Sequence, residues 1–247
     1  MWRDLRGGTL VVLLALTASD PTGAESSEAP PVAAHRAEYE VLRNGKPLGA
    51  AMVELELVPG DARLWRYRAH TRGTEGLAAL AGAEIVEEST FRWRDGLPVL
   101  IGYRYDRQLA WRSKQRSLSV DEARATVHSV DGDKRYELRW DASTLDRQTV
   151  VLAIGTHLAG GADELRFLVA DRDKLEWQRY RRAGSERLRV PAGEFEAIRV
   201  ERLREKPGRS TTSWFAPALG AVPLRIEHRE ADGERMEMRL VRYHGGA

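Results

Sequence analysis

The stretch AEYEVLRNGKPLGAAMVELEL, residues 37–57, decides the fold. Ala37, Tyr39 and Val41 alternate with Glu38 and Glu40. Asn44-Gly45 follows, a pair suited to the left-handed backbone of a two-residue hairpin turn. Val53, Leu55 and Leu57 then alternate with Glu54 and Glu56. A period of two places one face of each run in water and the other in a core. The segment predicts an antiparallel hairpin with one dry side.

The same reading extends in both directions. Trp65, Tyr67 and Ala69 alternate with Arg66, Arg68 and His70 after a turn at Pro59-Gly60-Asp61. Phe91 and Trp93, then Ile101, Tyr103 and Tyr105, continue it around Asp95-Gly96-Leu97-Pro98. Further strands run through Leu118–Val130, Tyr136–Trp140, Leu165–Val169, Leu175–Arg181, Leu188–Val190, Phe195–Leu203 and Ser210–Phe215. Leu224–Arg229 and Arg235–Tyr243 close the pattern as a hairpin at Asp232-Gly233.

Two segments interrupt the alternation. Thr74–Ala83 is rich in small residues and reads as a loop or one short helix. Residues 141–159 carry Leu145, Leu152 and Leu158 at helical spacing before Gly160-Gly161. That spacing predicts a helix near 145–158, capped by Asp141 or Ser143 and stopped by glycine. On the faces of strands 175–180, Leu175, Trp177 and Arg179 share one side, and Glu176, Gln178 and Tyr180 share the other.

The fold expected is all-β: an antiparallel curved sheet or barrel-like domain, of lipocalin or lipid-carrier type, with one helix packed against it. About a dozen one-sided strands must bury a common face, and a flat open sheet would leave that face wet. The domain is expected over residues 36–243 without an internal boundary.

The amino terminus reads as an export signal. Arg3 and Arg6 precede the apolar run Thr9–Ala18, and small residues offer cleavage after Ala18 or after Ala24. The run is shorter than a bilayer-spanning helix. Residues 1–24 are therefore expected to be a signal peptide and 25–35 a flexible linker. The chain has no cysteine, which excludes disulfides, thiol catalysis and an acylated lipobox cysteine. The expected location is periplasmic, soluble and unanchored, with no integral membrane segment after cleavage.

The 247 residues carry 39 basic and 37 acidic side chains, for a net charge of +2, and all but five of the basic ones are arginine. Acidic residues are interleaved throughout, so no basic stripe for nucleic acid forms. Arg–Glu pairs across the wet face of a sheet account for the pattern. His35, His70, His128, His157, His228 and His244 are widely spaced and make no local metal-ligand pair. No Gly-x-Ser-x-Gly elbow, phosphate loop or dinucleotide fingerprint occurs. No cofactor, metal site or catalytic residue is expected. An inward-facing carboxylate among aromatics would be the informative exception.

The aromatic pairs are the remaining lead. Trp65/Tyr67, Phe91/Trp93 and Tyr103/Tyr105 each share a strand face, and Trp177 and Trp214 join them from later strands. These eight are candidates for the wall of an apolar cavity, although a plain packed core has the same signature.

Pro191-Ala192-Gly193-Glu194-Phe195-Glu196-Ala197 with Val200, Trp214-Phe215-Ala216-Pro217, and Pro223-Leu224-Arg225-Ile226 before the Asp232-Gly233 hairpin resemble a bacterial family. It is the one called domain of unknown function 3108, and Tyr39–Gly49 also fits it. The resemblance implies an exported, β-rich domain without assigned activity and transfers no catalytic residue. Three functions are expected in order. The first is a non-enzymatic carrier of an apolar small molecule such as a lipid or acyl chain. The second is an envelope module that binds another protein. The third is a hydrolase or isomerase of an envelope polymer.

Overall fold

The computed structural model describes residues 30–204 and 208–245. The signal segment 1–24 and residues 25–29 of the expected linker lie outside the described residues. The linker ends earlier than expected: Val32 is buried in the core and the first strand begins at His35.

Fifteen strands are formed among the described residues. In chain order they are β1 (His35–Arg43), β2 (Lys46–Leu57), β3 (Trp65–Gly73), β4 (Glu84–Arg94), β5 (Leu97–Leu109), β6 (Arg112–Asp121), β7 (Thr126–Asp131) and β8 (Lys134–Arg139). Then follow β9 (Thr144–Leu145), β10 (Glu164–Asp171), β11 (Lys174–Val190), β12 (Gly193–Leu203), β13 (Ser210–Phe215), β14 (Pro223–Arg229) and β15 (Arg235–Gly245). A short α1 (Gly76–Leu80) joins β3 to β4, and α2 (Thr149–Ala159) joins β9 to β10. No helix among the described residues is long and apolar enough to cross a membrane.

The strands form one sheet in the order β8 back to β1, then β15 back to β9. The first and last strands therefore pair at its middle, with Ala37 opposite Tyr243 and Tyr39 opposite Leu240. Every pairing is antiparallel except β9 with β10. Hairpin turns use the residues the sequence offered: Asn44 and Gly45 have φ of 52° and 78°, and Asp95 and Gly96 have 52° and 74°. These are the left-handed values a two-residue turn requires.

The two wings of the sheet curl toward each other. Ala170 of β10 packs in a cluster with Leu100, Tyr103, Leu118 and Val127 of β5–β7. The end strands β8 and β9 are not hydrogen-bonded to one another, so the sheet is an open spiral and not a closed barrel. The largest core joins Tyr39, Leu55, Trp65, Tyr67, Phe91, Leu152, Trp214 and Leu240. A second joins Val150, Ile154 and Leu158 of α2 to Phe167, Tyr180, Val200 and Phe215.

The helix sits deeper and starts later than expected. Asp141 and Ser143 form a turn, with the Ser143 N–H donating to Asp141 Oδ1 at 2.7 Å, and Leu145 lies in β9. Asp146 instead holds the start of α2. Its Oδ1 accepts the N–H groups of Gln148 (2.7 Å) and Thr149 (2.9 Å), and its own N–H donates to Thr149 Oγ1 at 2.9 Å. Val150, Leu152, Ala153, Ile154 and Leu158 are all buried. A helix buried on most sides lacks a clean amphipathic period, which is why spacing misplaced its start.

The face assignment at β11 is also reversed. Gln178 and Tyr180 point inward, paired by a 2.6 Å hydrogen bond from the Tyr180 hydroxyl, while Trp177 is half exposed. Leu165 and Phe167 of β10 stand opposite Tyr180 and Gln178. Register against that apolar strand fixes the parity, because a shift of one residue would expose the whole β10 core face.

Candidate functional site

The antiparallel registers carry one row of side chains across β3–β8: Tyr67, Ser89, Tyr103, Leu118, Ser129 and Tyr136. The adjacent row on the same face is Ala69, Glu87, Tyr105, Arg116, Asp131 and Lys134. Alternation dictates this: Glu87, Ser89 and Phe91 are two apart on β4, and Phe91 is completely buried. Wherever Phe91 faces, Glu87 must face too.

The start of α2 covers these rows. The Gln148 side-chain amide donates to Ser89 Oγ at 3.4 Å. Arg147 lies 3.7 Å from Glu87, with its guanidinium half exposed and the carboxylate mostly buried. Two cations lie near the Tyr105 ring, Arg116 at 5.2 Å and Arg147 at 5.9 Å from its centroid. Arg116 and Lys114 both pair with Asp131 at 3.1 Å. The result is a polar seam where one wing of the spiral meets the helix of the other.

Burial dominates the electrostatics of this seam. It raises the Glu87 carboxyl above its ordinary value, offset in part by Arg147. It raises Asp146 as well, offset in part by the amides of Thr149 and Gln148. The Tyr67 and Tyr103 hydroxyls are pushed above the usual phenol value by the same desolvation, with nearby carboxylates adding to it. Asp146 Oδ2, Tyr103 Oη and Ser129 Oγ are buried without a hydrogen-bond partner among the described residues. A space of about 10 Å³ adjoins Tyr103, Ser129 and Asp171, of the order of one water. An open concavity of about 330 Å³ lies outside it, between Lys114, Asp131, Lys134 and Tyr136 of one wing and Arg172 and Asp173 of the other.

The eight aromatics singled out in the sequence divide into three groups. Trp65, Tyr67, Phe91, Trp93 and Trp214 belong to the main core. Trp93 packs edge-on against Phe91 at 5.1 Å and Trp65 at 6.5 Å. Trp214 donates its indole N–H to Glu186 at 2.6 Å, with Arg225 4.6 Å over its ring. Tyr103 and Tyr105 belong to the third cluster, at the seam. Trp177 stands apart on the outer face under Arg166, whose guanidinium is 4.3 Å from its ring centre.

The sequence reasoning missed Glu87, Asp146, Arg147 and Gln148. A signal for two of them was present. Glu87-Glu88 interrupts the alternation before Ser89-Thr90-Phe91, so one glutamate had to face inward. Asp146 followed by Thr149 has the spacing of a helix cap. What brings both to one place is tertiary. Among the described residues no group of three His, Asp or Glu side chains is arranged to hold a metal ion.

The family model for Protein of unknown function (DUF3108) matches residues 38–240. No curated protein matches the sequence. Among solved structures, a β-barrel-like protein of domain of unknown function DUF1849 from Brucella abortus is similar over 89% of this chain and 100% of its own, with a TM-score of 0.56 at 11% identity. That likeness concerns the fold alone. A candidate exported protein with YmcC-like fold from Bacteroides fragilis aligns over 87% of this chain and 97% of its own, at 11% identity and a TM-score of 0.31. A candidate lipoprotein from Parabacteroides distasonis has the same coverage and identity and a TM-score of 0.29. At these TM-scores the last two are too loosely similar to bear on this chain.

Proposed function

The chain belongs to the DUF3108 family, and we propose that it is an exported, non-enzymatic envelope protein that works by binding through its outer surface. The observation that carries this reading is the seat of α2. Leu152 is buried in the main core and Val150, Ile154 and Leu158 in the second, with exposures from 0% to 6%. The helix occupies the place an enclosed cargo would need, where a lid would lie across a mouth. The inward aromatics pack against one another and against this helix. The apolar segment Thr9–Ala18 after Arg3 and Arg6 supports export.

A glycan hydrolase of the two-carboxylate kind built on the seam would need Glu87 and Asp146 open to a cleft. Glu87 is covered by Arg147, and Asp146 is fully buried at the helix start.

One observation favours a second reading, the carriage of an apolar molecule. β8 and β9 are not joined by a ladder, so the spiral is held shut by α2 and a polar seam. Parting the seam would expose the main core to a lipid chain. A single experiment separates the two. Processed protein is recovered from the periplasm, its native and denatured masses are compared, and it is then titrated with a fluorescent fatty acid. Surface binding predicts equal masses and no saturable uptake. A discrete mass excess or a saturating titration would overturn it in favour of the carrier.

A further inference from the structure

Among the described residues, the two most exposed large apolar side chains lie on adjoining turns. Leu80, at the end of α1, is 83% exposed, and Trp111, in the β5–β6 turn, is 77% exposed. The Ala110 N–H donates to the Ala81 carbonyl at 2.8 Å, so residues next to each of them are tied together. The tip is built and anchored. Gly73 donates to Ala83 O at 2.8 Å, Thr74 to Leu48 O at 3.1 Å, and Ala83 to Ala78 O at 3.0 Å. A Cβ on Gly73 would lie 2.7 Å from Ala78, so α1 is seated directly on the β3 backbone. Leu80 and Trp111 therefore face outward from a fixed scaffold.

Basic residues occupy the strand ends next to these turns. Arg72, Arg107, Arg112 and Lys114 stand there, against Glu75 and Glu84. Arg72 pairs with Glu84 and Lys114 with Asp131, and the Arg107 Nε is buried, whereas Arg112 is exposed and carries no ion pair among the described residues.

We propose that this tip docks the protein onto an anionic lipid surface, Trp111 and Leu80 entering the headgroup boundary and exposed Arg112 meeting lipid phosphates. The proposal rests on the surface-binding reading and names the partner. Two side chains on adjoining turns are far short of the roughly 800 Å² that each partner of a stable protein complex buries. They do suit a bilayer interface, where tryptophan rings settle at headgroup level and basic residues are attracted by anionic lipid.

The test is co-sedimentation of the processed protein with vesicles, its amino terminus fixed by intact mass. Binding to phosphatidylethanolamine/phosphatidylglycerol vesicles is expected, weakened by salt and weak on pure phosphatidylcholine. W111S should lower the partition by about tenfold or more, from the apolar burial it removes. R112E should weaken binding to anionic vesicles only. W177S, at an exposed tryptophan elsewhere, should bind like the unmodified protein. No sedimentation with anionic vesicles, or full binding by W111S, would overturn the proposal. A parallel fatty-acid titration separates the two readings. Saturation there defeats the surface-binding reading, whereas failure of both assays defeats the tip alone.

Discussion

Gly155 and Ala221 meet backbone to backbone: a Cβ on the glycine would lie 2.2 Å from the Ala221 Cα and 2.5 Å from its Cβ. This close approach seats α2 against the connector between β13 and β14. It also lets the helix enter the spiral as far as it does. Helix propensity alone would favour alanine at position 155 by up to about 1 kcal/mol. The overlap decides the sign, because neither backbone can yield without moving an element. Gly155→Ala is expected to lower stability by about 1–3 kcal/mol. A urea midpoint at or above that of the unmodified protein would show that the helix is not wedged.

Asp146 holds the same helix from its other end. Asp146→Ala removes the acceptor for two backbone N–H groups and should cost about 1–2 kcal/mol. Asp146→Asn keeps a carbonyl oxygen at Oδ1 and removes a buried charge, so it should cost much less. Denaturant unfolding of both variants at neutral pH checks the order. Equal losses would mean that the charge, and not the cap, matters at this position.

Burial raises the folded pKa of the Glu87 carboxyl, with Arg147 and Arg116 drawing it down and Asp146 and Asp171 adding to the rise. The folded state thus holds this proton where the unfolded chain has lost it. Its contribution to stability is complete below the ordinary glutamate value and falls as pH rises through and above it, with a limiting slope of about 1.4 kcal/mol per pH unit. Asp146 acts in the same direction. Buried His35, whose pKa is lowered, acts oppositely near its own ordinary value. The difference between Glu87→Gln and the unmodified protein isolates the glutamate. The variant should gain relative stability as pH rises from about 4 to 7. A difference that is flat with pH would show that Glu87 titrates as it does in water.

Trp65 and Trp177 were equivalent in the sequence and are not in the fold. Trp65 is 6% exposed in the main core, and Trp177 is 50% exposed beneath Arg166. Trp65→Ala should cost about 3–5 kcal/mol. Trp177→Ala should cost about 1 kcal/mol or less, the order of an exposed cation–π contact. Thermal or urea unfolding of the pair is sufficient, and comparable losses would place Trp177 in an interior it does not share here.

Most strands were legible because a one-sided sheet writes its burial into every second residue. Tyr39, Val41, Leu55, Trp65 and Phe91 all face the core as the alternation required. The errors fall where that code weakens. In β11 the inward residues are Gln178 and Tyr180, polar groups that satisfy each other, so polarity no longer marks the wet side. In α2 the apolar residues surround the helix, so no stripe reveals its start. Of the seam, the inward direction of Glu87 was implied by Phe91. That Arg147 would cover it was not, because 60 residues of chain separate them and only curling brings them together.

The sequence by itself determined the hairpins, the inward face of most strands and the family, because these depend on neighbours two residues apart and on local turn chemistry. The tertiary structure alone decided that the spiral stays open, that a helix fills its interior, and that two carboxylates lie at its seam. Those outcomes depend on how far the sheet curls and which segment is left to fill the gap. Curl accumulates over many strands and leaves no periodic trace in any one of them.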